Sequence, residues 1–224
     1  MENATPKGKH MSYETFKNAK EFIRYMNPMV LVVSGGEPFE HPNAIQMIEE
    51  LRDLLGRERI IVASNGTFRF NREIEDRVNR LGVMIQVTND SRYYPMSVPM
   101  NSTGNIVTVN RIETMYPQGR AVENNLGVKG IKTSKCFNLR SIGINNAHTF
   151  YEAVKILERA QKFCTPAIGI KGEILIGESS LCSSIGNIDM SDRELLENLR
   201  KNRCDKCKLI SKLPLHYRKA VNMI

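Results

Sequence analysis

Two groups of residues in this 224-residue chain have the types and spacing to do chemistry. The first is Gly35-Gly36-Glu37-Pro38, directly after the apolar stretch 29–33. Two glycines at a strand end let the backbone approach a ligand closely, and their carbonyl and amide edges can pair with an amino-acid-like group. Pro38 stiffens the exit of the turn. The second group is made of cysteines. Cys204 and Cys207 form a chelate pair separated by Asp205 and Lys206, and Cys164 and Cys182 lie upstream. Four thiolates suit zinc or an iron–sulfur cluster, both of which prefer soft sulfur ligands. Lys201, Arg203, Lys206 and Lys208 surround the pair and favour thiolate over thiol. Cys136 stands apart within Thr133-Ser134-Lys135-Cys136-Phe137-Asn138, and no cysteine precedes it.

Other chemistries lack their residues. No GxGxxG is present, which removes the dinucleotide fingerprint. Gly127-Val128-Lys129-Gly130-Ile131-Lys132-Thr133 lacks the spacing and the Gly-Lys ending of a phosphate loop. His10, His41, His148 and His216 are scattered, with no Ser/His/Asp order and no paired carboxylates beside them.

The elements that must position these residues follow from periodicity. Phe16, Ala19, Ile23 and Met26 recur on one helical face behind Ser12, predicting a helix over 12–27. Residues 29–34 read as a strand buried on both faces. A helix opens at Pro42 with Ala44, Ile48, Leu51 and Leu55 inward and Gly56 as its stop. Residues 59–63 form the next strand. Asn71 caps a helix carrying Ile74, Val78 and Leu81, Gly82 closes it, and 83–88 is a third strand. Successive strand–helix units argue for a parallel sheet with helices outside, and in such sheets ligands gather at the C-terminal strand ends. Residues 34–38, 63–67 and 88–90 stand there. Their Gly, Asn and Asp are also ordinary turn residues, so it is their grouping on one rim that points to a ligand.

From about Val107 the pattern loosens, with a strand near 112–115 and a polar boundary over 123–133. Thr149 and Glu152 form a capping box for a helix reaching about Phe163. Residues 167–170 and 173–176 read as a hairpin about Lys171-Gly172. Ser191 and Glu194 begin a last helix to about Lys201, followed by a basic tail. The net charge of +8 is compatible with polyanionic or phosphorylated partners but identifies none. An odd cysteine count behind a polar start argues against a secreted disulfide framework, and no apolar run approaches the roughly 20 residues of a membrane span. The expectation is a cytoplasmic protein without a membrane partner.

These segments resemble the radical S-adenosylmethionine (radical SAM) superfamily, with a C-terminal auxiliary-cluster domain of the SPASM/Twitch kind. Val33-Ser34-Gly35-Gly36-Glu37-Pro38 is similar to the family's second-strand motif, which holds the amino group of the methionine moiety. Ser64-Asn65-Gly66-Thr67 resembles the ending of the next strand. Gln86-Val87-Thr88-Asn89-Asp90 resembles the strand after it, which helps line the cofactor and substrate pocket. Tyr116-Pro117-Gln118-Gly119-Arg120-Ala121 resembles a late-strand segment. Gly172-Glu173-Ile174-Leu175-Ile176, then Cys182 with Gly186-Asn187-Ile188, then Cys204 and Cys207, follow the order of the auxiliary domain.

The resemblance implies an α/β protein: an incomplete parallel β/α barrel over 1–130, then a small α+β cysteine-containing auxiliary domain over 131–224. It implies S-adenosylmethionine as cofactor, held by Gly35, Gly36, Glu37 and Pro38, with Ser64, Asn65 and Asn89 lining the site. It further implies an auxiliary 4Fe–4S cluster on Cys164, Cys182, Cys204 and Cys207, an electron donor, and an unidentified substrate of peptide or protein class. Nucleic acid is not an expected partner on this reading.

The family's CxxxCxxC, which follows the first barrel strand, has no counterpart in the chain. Residues 1–11 resemble the stretch after that loop, and the helix over 12–27 would then be the first barrel helix. On this reading strand one and the cluster loop are missing, and radical chemistry is not expected of the chain as written. Two alternatives stand beside it: a zinc-stabilised basic module binding nucleic acid or protein, and a SAM-binding pseudoenzyme that keeps the pocket without the redox cluster. Metal content separates the cluster from the zinc module. Anaerobically reconstituted protein is expected to be brown and to contain iron and sulfide; colourless protein with stoichiometric zinc would rule out the cluster.

Overall fold

The structure is a computed structural model, and it describes residues 8–89, 104–109, 114–115, 132–133, 144–159, 166–177 and 183–201. The chain divides into two units, one made of Met1–Gly8 and Met29–Thr133, the other of Lys9–Pro28 and Ser134–Ile224.

The first unit is built on strand–helix repetition. Strand β1 (Leu31–Val33) leads to helix α2 (Ala44–Leu55), strand β2 (Ile60–Ser64), helix α3 (Arg72–Leu81), strand β3 (Met84–Thr88) and strand β4 (Ile106–Val109). The strands lie in the order β1-β2-β3-β4, all parallel, in registers that set Val32 beside Ile61, Val62 beside Ile85, and Val87 beside Thr108. Helix α2 buries Ala44, Ile48, Leu51 and Leu55 as its spacing requires, together with Met47, and stops at Gly56. Helix α3 is capped by Asn71, whose side chain accepts from the Ile74 amide, and ends at Gly82. Repeated right-handed crossovers place successive helices on the same face of a sheet. The strands show this directly: Ile60, Val62, Ile85 and Val87 are buried, while the alternate Met84 and Gln86 are exposed.

One expectation is overturned here. The run 29–34, read as a strand buried on both faces, is a three-residue strand with Val32 49% exposed. Met29 and Val30 lie before it and are exposed as well. A continuous apolar run signals burial on both faces only if something covers the second face. Among the described residues the helices cover one. Strand β4 was not foreseen, because Ile106–Val109 is only four residues long and no helical period separates it from β3. A further parallel pair joins β5 (Thr114–Met115) to β6 (Lys132–Thr133), the former within the stretch expected to be extended.

The second unit contains helices α1 (Tyr13–Met26), α4 (Phe150–Arg159) and α5 (Asp192–Lys201). With them is an antiparallel sheet of β7 (Ala167–Ile168), β8 (Glu173–Leu175) and β9 (Ser184–Asn187). Strands β7 and β8 form the expected hairpin; β9 adds a third strand that no periodic signal announced. Helix α1 buries Phe16, Ala19, Ile23 and Met26, the face its sequence specifies, and Ser12 caps it by accepting from the Thr15 amide. Each large apolar side chain so buried is worth about 1.5–3 kcal/mol. The expected division, 1–130 and 131–224, assigns this helix to the barrel part, whereas its contacts group it with the second unit. The reason is packing: Met26 joins the core of Phe150, Leu157, Ile174 and Leu195, and the Phe22 ring lies 6.4 Å from that of Phe150.

A single carboxylate ties the three helices together. Asp192, in the first turn of α5, accepts from the amides of Phe150 at 2.7 Å and Tyr151 at 3.1 Å, capping α4. It also accepts from the Tyr25 hydroxyl of α1 at 3.0 Å. Partial burial first, then the bond and the charge of Asp192, raise the pKa of that hydroxyl. The capping box at Ser191 and Glu194 forms reciprocally, at 3.0 and 3.3 Å. At α4 the box is altered: Glu152 donates its amide to Thr149 Oγ1, but its carboxylate takes the amide of His148. Helix α4 is described as far as Arg159, and its expected continuation to Phe163 lies outside the described residues.

Asp192→Ala is therefore expected to lower the unfolding free energy of the full chain by about 1–2 kcal/mol, the cost of a lost cap. Tyr25→Phe, at an exposed bond, is expected to cost less than about 1 kcal/mol. Urea denaturation followed by circular dichroism measures both, and an unaffected Asp192→Ala midpoint would rule out the cap.

Candidate functional site

Adjacent parallel strands end on the same rim, so β1, β2 and β3 present residues 34–38, 64–67 and 88–89 side by side. The sequence-predicted residues of the first unit therefore share one edge of one sheet. Gly35 leaves β1 with φ +154°, and a Cβ built there meets no atom of the described residues within 4 Å. The backbone at this position thus borders open space. Pro38 opens a short 3₁₀ turn, Pro38–Glu40, with Glu37 as its cap.

Glu37 turns inward. It is only 9% exposed, and three donors of its own chain converge on its carboxylate. The Ser64 hydroxyl donates at 2.8 Å, the Asn65 amide at 2.7 Å and the Phe39 amide at 3.2 Å. Ser64, the last residue of β2, is fully buried, and its Oγ also accepts from the Gly66 amide at 2.9 Å. Gly66 adopts φ +82°, a left-handed conformation that suits glycine. Asn65 directs its side-chain oxygen back into the turn, where the Thr67 amide and hydroxyl donate to it at 2.8 and 2.7 Å. Asn89 is half-buried, and its amide extends the ladder by donating to the Val109 carbonyl at 2.9 Å. Beside it Thr88 is buried.

Several residues that stabilise the rim carried no motif. Phe39 meets Phe68 edge-on, with ring centroids 4.8 Å apart, joining the turn after β1 to the turn after β2. Arg69, with its side chain 1% exposed, pairs with Glu75 of α3 at 3.1 Å and anchors the second turn to the helix behind it. The available signal was weak: an aromatic directly after each turn motif, and an arginine–glutamate pair flanking the Asn71 cap. The cysteines expected to hold metal, Cys164, Cys182, Cys204 and Cys207, lie outside the described residues, as does Cys136. Among the described residues there is no group of three or more His, Cys, Asp or Glu able to hold a metal ion, and no helix long and apolar enough to cross a membrane.

No protein-family model matches the chain, and no curated protein matches it either. Among solved structures it is similar to BtrN in complex with AdoMet and 2-DOIA. The TM-score is 0.51 at 15% sequence identity, over 96% of this chain and 76% of BtrN. BtrN in an open conformation gives a TM-score of 0.46 at 14% identity, over 92% of this chain and 84% of that one. At this identity the likeness is one of fold alone. The chain therefore has a mixed α/β fold similar to that of BtrN, with a four-stranded parallel sheet among the described residues.

The electrostatics of Glu37 make a testable statement. Burial, the largest influence, raises its carboxyl above the ordinary range; the donors Asn65, Ser64 and Phe39 act the other way, and the charge of Glu40 adds to the rise. A group whose folded pKa exceeds its unfolded one contributes stability that is complete below the unfolded value. That contribution is lost as pH rises through the folded value. The stability of the wild type relative to Glu37→Gln is thus expected to decline as pH is raised from about 4, the ordinary carboxylate range. Denaturant midpoints of both proteins across the acid range test this, and a difference that grows with pH would contradict it.

Proposed function

We propose that the rim formed by residues 34–38, 64–67 and 88–89 binds S-adenosylmethionine, and that the chain is a radical SAM protein whose own contribution is this binding, with a substrate of peptide or protein class. The observation that supports this most is the joining of two turn motifs through Glu37 at the C-terminal edge of a parallel sheet, where α/β folds bind ligands. The fold shared with BtrN, crystallised with AdoMet, points the same way. The residues fit such a ligand: the space in front of Gly35 is open, and the backbone edges of Gly35 and Gly36 suit an amino-acid moiety. Thr88 and Asn89, at the end of β3, stand on the same edge.

When bound beside a 4Fe–4S cluster, S-adenosylmethionine is the source of a 5′-deoxyadenosyl radical in the resembled family. What this chain contributes is binding and orientation, the usual share of a protein whose cofactor carries the hard chemistry. Residues 1–135 supply no thiolate, so binding is the property proposed of this chain. An auxiliary cluster on Cys164, Cys182, Cys204 and Cys207, an electron donor and a cytoplasmic location complete the reading.

Calorimetric titration with S-adenosylmethionine is expected to show saturable binding. Gly35→Ala is expected to weaken it about tenfold, because the φ of Gly35 is unfavourable for a side chain by roughly 1–3 kcal/mol. Asn145→Ala, on the exposed turn of the second unit, is expected to leave the affinity unchanged. Absence of saturable binding to the wild type would refute the proposal.

A further inference from the structure

We infer that Glu37 is a positioning residue for this rim, not a ligand of the cofactor, and that it acts through Ser64 and Asn65. The inference rests on the S-adenosylmethionine reading of the rim and deepens it. Within its motif Glu37 looks like a charge offered to an ammonium group. The geometry assigns its charge elsewhere. An ionised carboxylate has about four acceptor sites, and three bonds from its own chain already converge here, at 2.7, 2.8 and 3.2 Å. The side chain is nine-tenths buried and faces the neighbouring strand end.

The bonds continue beyond the carboxylate. Ser64 donates to Glu37 and accepts from Gly66, so one hydroxyl relays the position of Glu37 to the left-handed residue of the next turn. The Asn65 amide is held by Glu37 at its backbone, while the Asn65 side chain holds Thr67. The turn after β2 is thereby shaped from the turn after β1, and the Phe39–Phe68 contact braces the two turns together. Breaking the carboxylate's bonds releases the geometry of both turns at once. Glutamine cannot replace it: whichever way its amide lies, the NH₂ end faces a backbone N–H, that of Phe39 or that of Asn65.

A thermodynamic cycle in the full chain separates positioning from direct contact. S-adenosylmethionine affinity is measured by calorimetry for wild type, Glu37→Gln, Ser64→Ala and the double variant, each shown to be folded by circular dichroism. Residue-resolved amide exchange of Asn65 is followed in the ligand-free proteins. If Glu37 acts through Ser64, each single variant weakens binding about tenfold and the double variant no further, because residues in one network do not act additively. The Asn65 amide also loses protection in all three variants.

A direct ligand would behave otherwise. Glu37→Gln would weaken binding while Ser64→Ala left it unchanged, or the two losses would multiply; either result overturns the inference. Should the wild type bind no S-adenosylmethionine, the reading of the rim fails by itself, and amide exchange still decides the clamp. Protection of Asn65 lost in both single variants upholds it, and protection retained overturns it.

Discussion

A carboxylate taken out of water must be met by donors, and much of the rim follows from how Glu37 meets that demand. Its burial disfavours the charged form, so the structure brings a hydroxyl and two backbone amides to it from residues 39, 64 and 65. Those donors belong to two different turns, so satisfying one charge also joins the ends of two strands. The open space beside Gly35 is bordered by a backbone that this bond network holds in place. On the proposed reading the surface left to face the ligand is main chain, whose carbonyl and amide groups suit an amino-acid-like group.

The second unit uses the same device for a different purpose. Asp192 accepts from two first-turn amides of α4 and from Tyr25 of α1 while sitting in the first turn of its own helix, α5. There the carboxylate organises helix ends and makes residues Lys9–Pro28 part of a unit whose other residues come more than a hundred positions later. Lys155 reinforces the join by donating to the Asn27 carbonyl at 2.6 Å, at the left-handed end of α1. A helix that local spacing could place anywhere is thus assigned by three side chains, Phe22, Tyr25 and Met26, to one core.

The sheet of the first unit shows how burial differs from hydrophobicity. Val32, Met84 and Val107 are each about half exposed although their strands are apolar, because α2 and α3 lie across one face. Composition reported a strand that can be buried on both faces. Whether it is depends on what lies opposite, and that information belongs to no single segment. The same holds for β4 and β9, each four residues long and recognisable only through hydrogen bonds to a neighbouring strand.

What the sequence by itself determined is local. The faces of α1, α2 and α3, the caps at Ser12, Asn71 and Ser191, the stops at Gly56 and Gly82, and the β7–β8 hairpin are all readable from spacing, because their causes lie within a turn or two of the chain. The parallel rim was also legible, since alternating strand and helix periods admit few topologies. Tertiary structure alone decided three things: the unit to which α1 belongs, the exposed face of the sheet, and the direction in which Glu37 points. Each depends on groups brought together from distant positions, 27 and 28 residues apart for Glu37 with Ser64 and Asn65, and 167 for Tyr25 with Asp192. A motif states which residues are present; only the folded chain states which atoms satisfy a buried charge, because that depends on desolvation and on donors supplied by other elements.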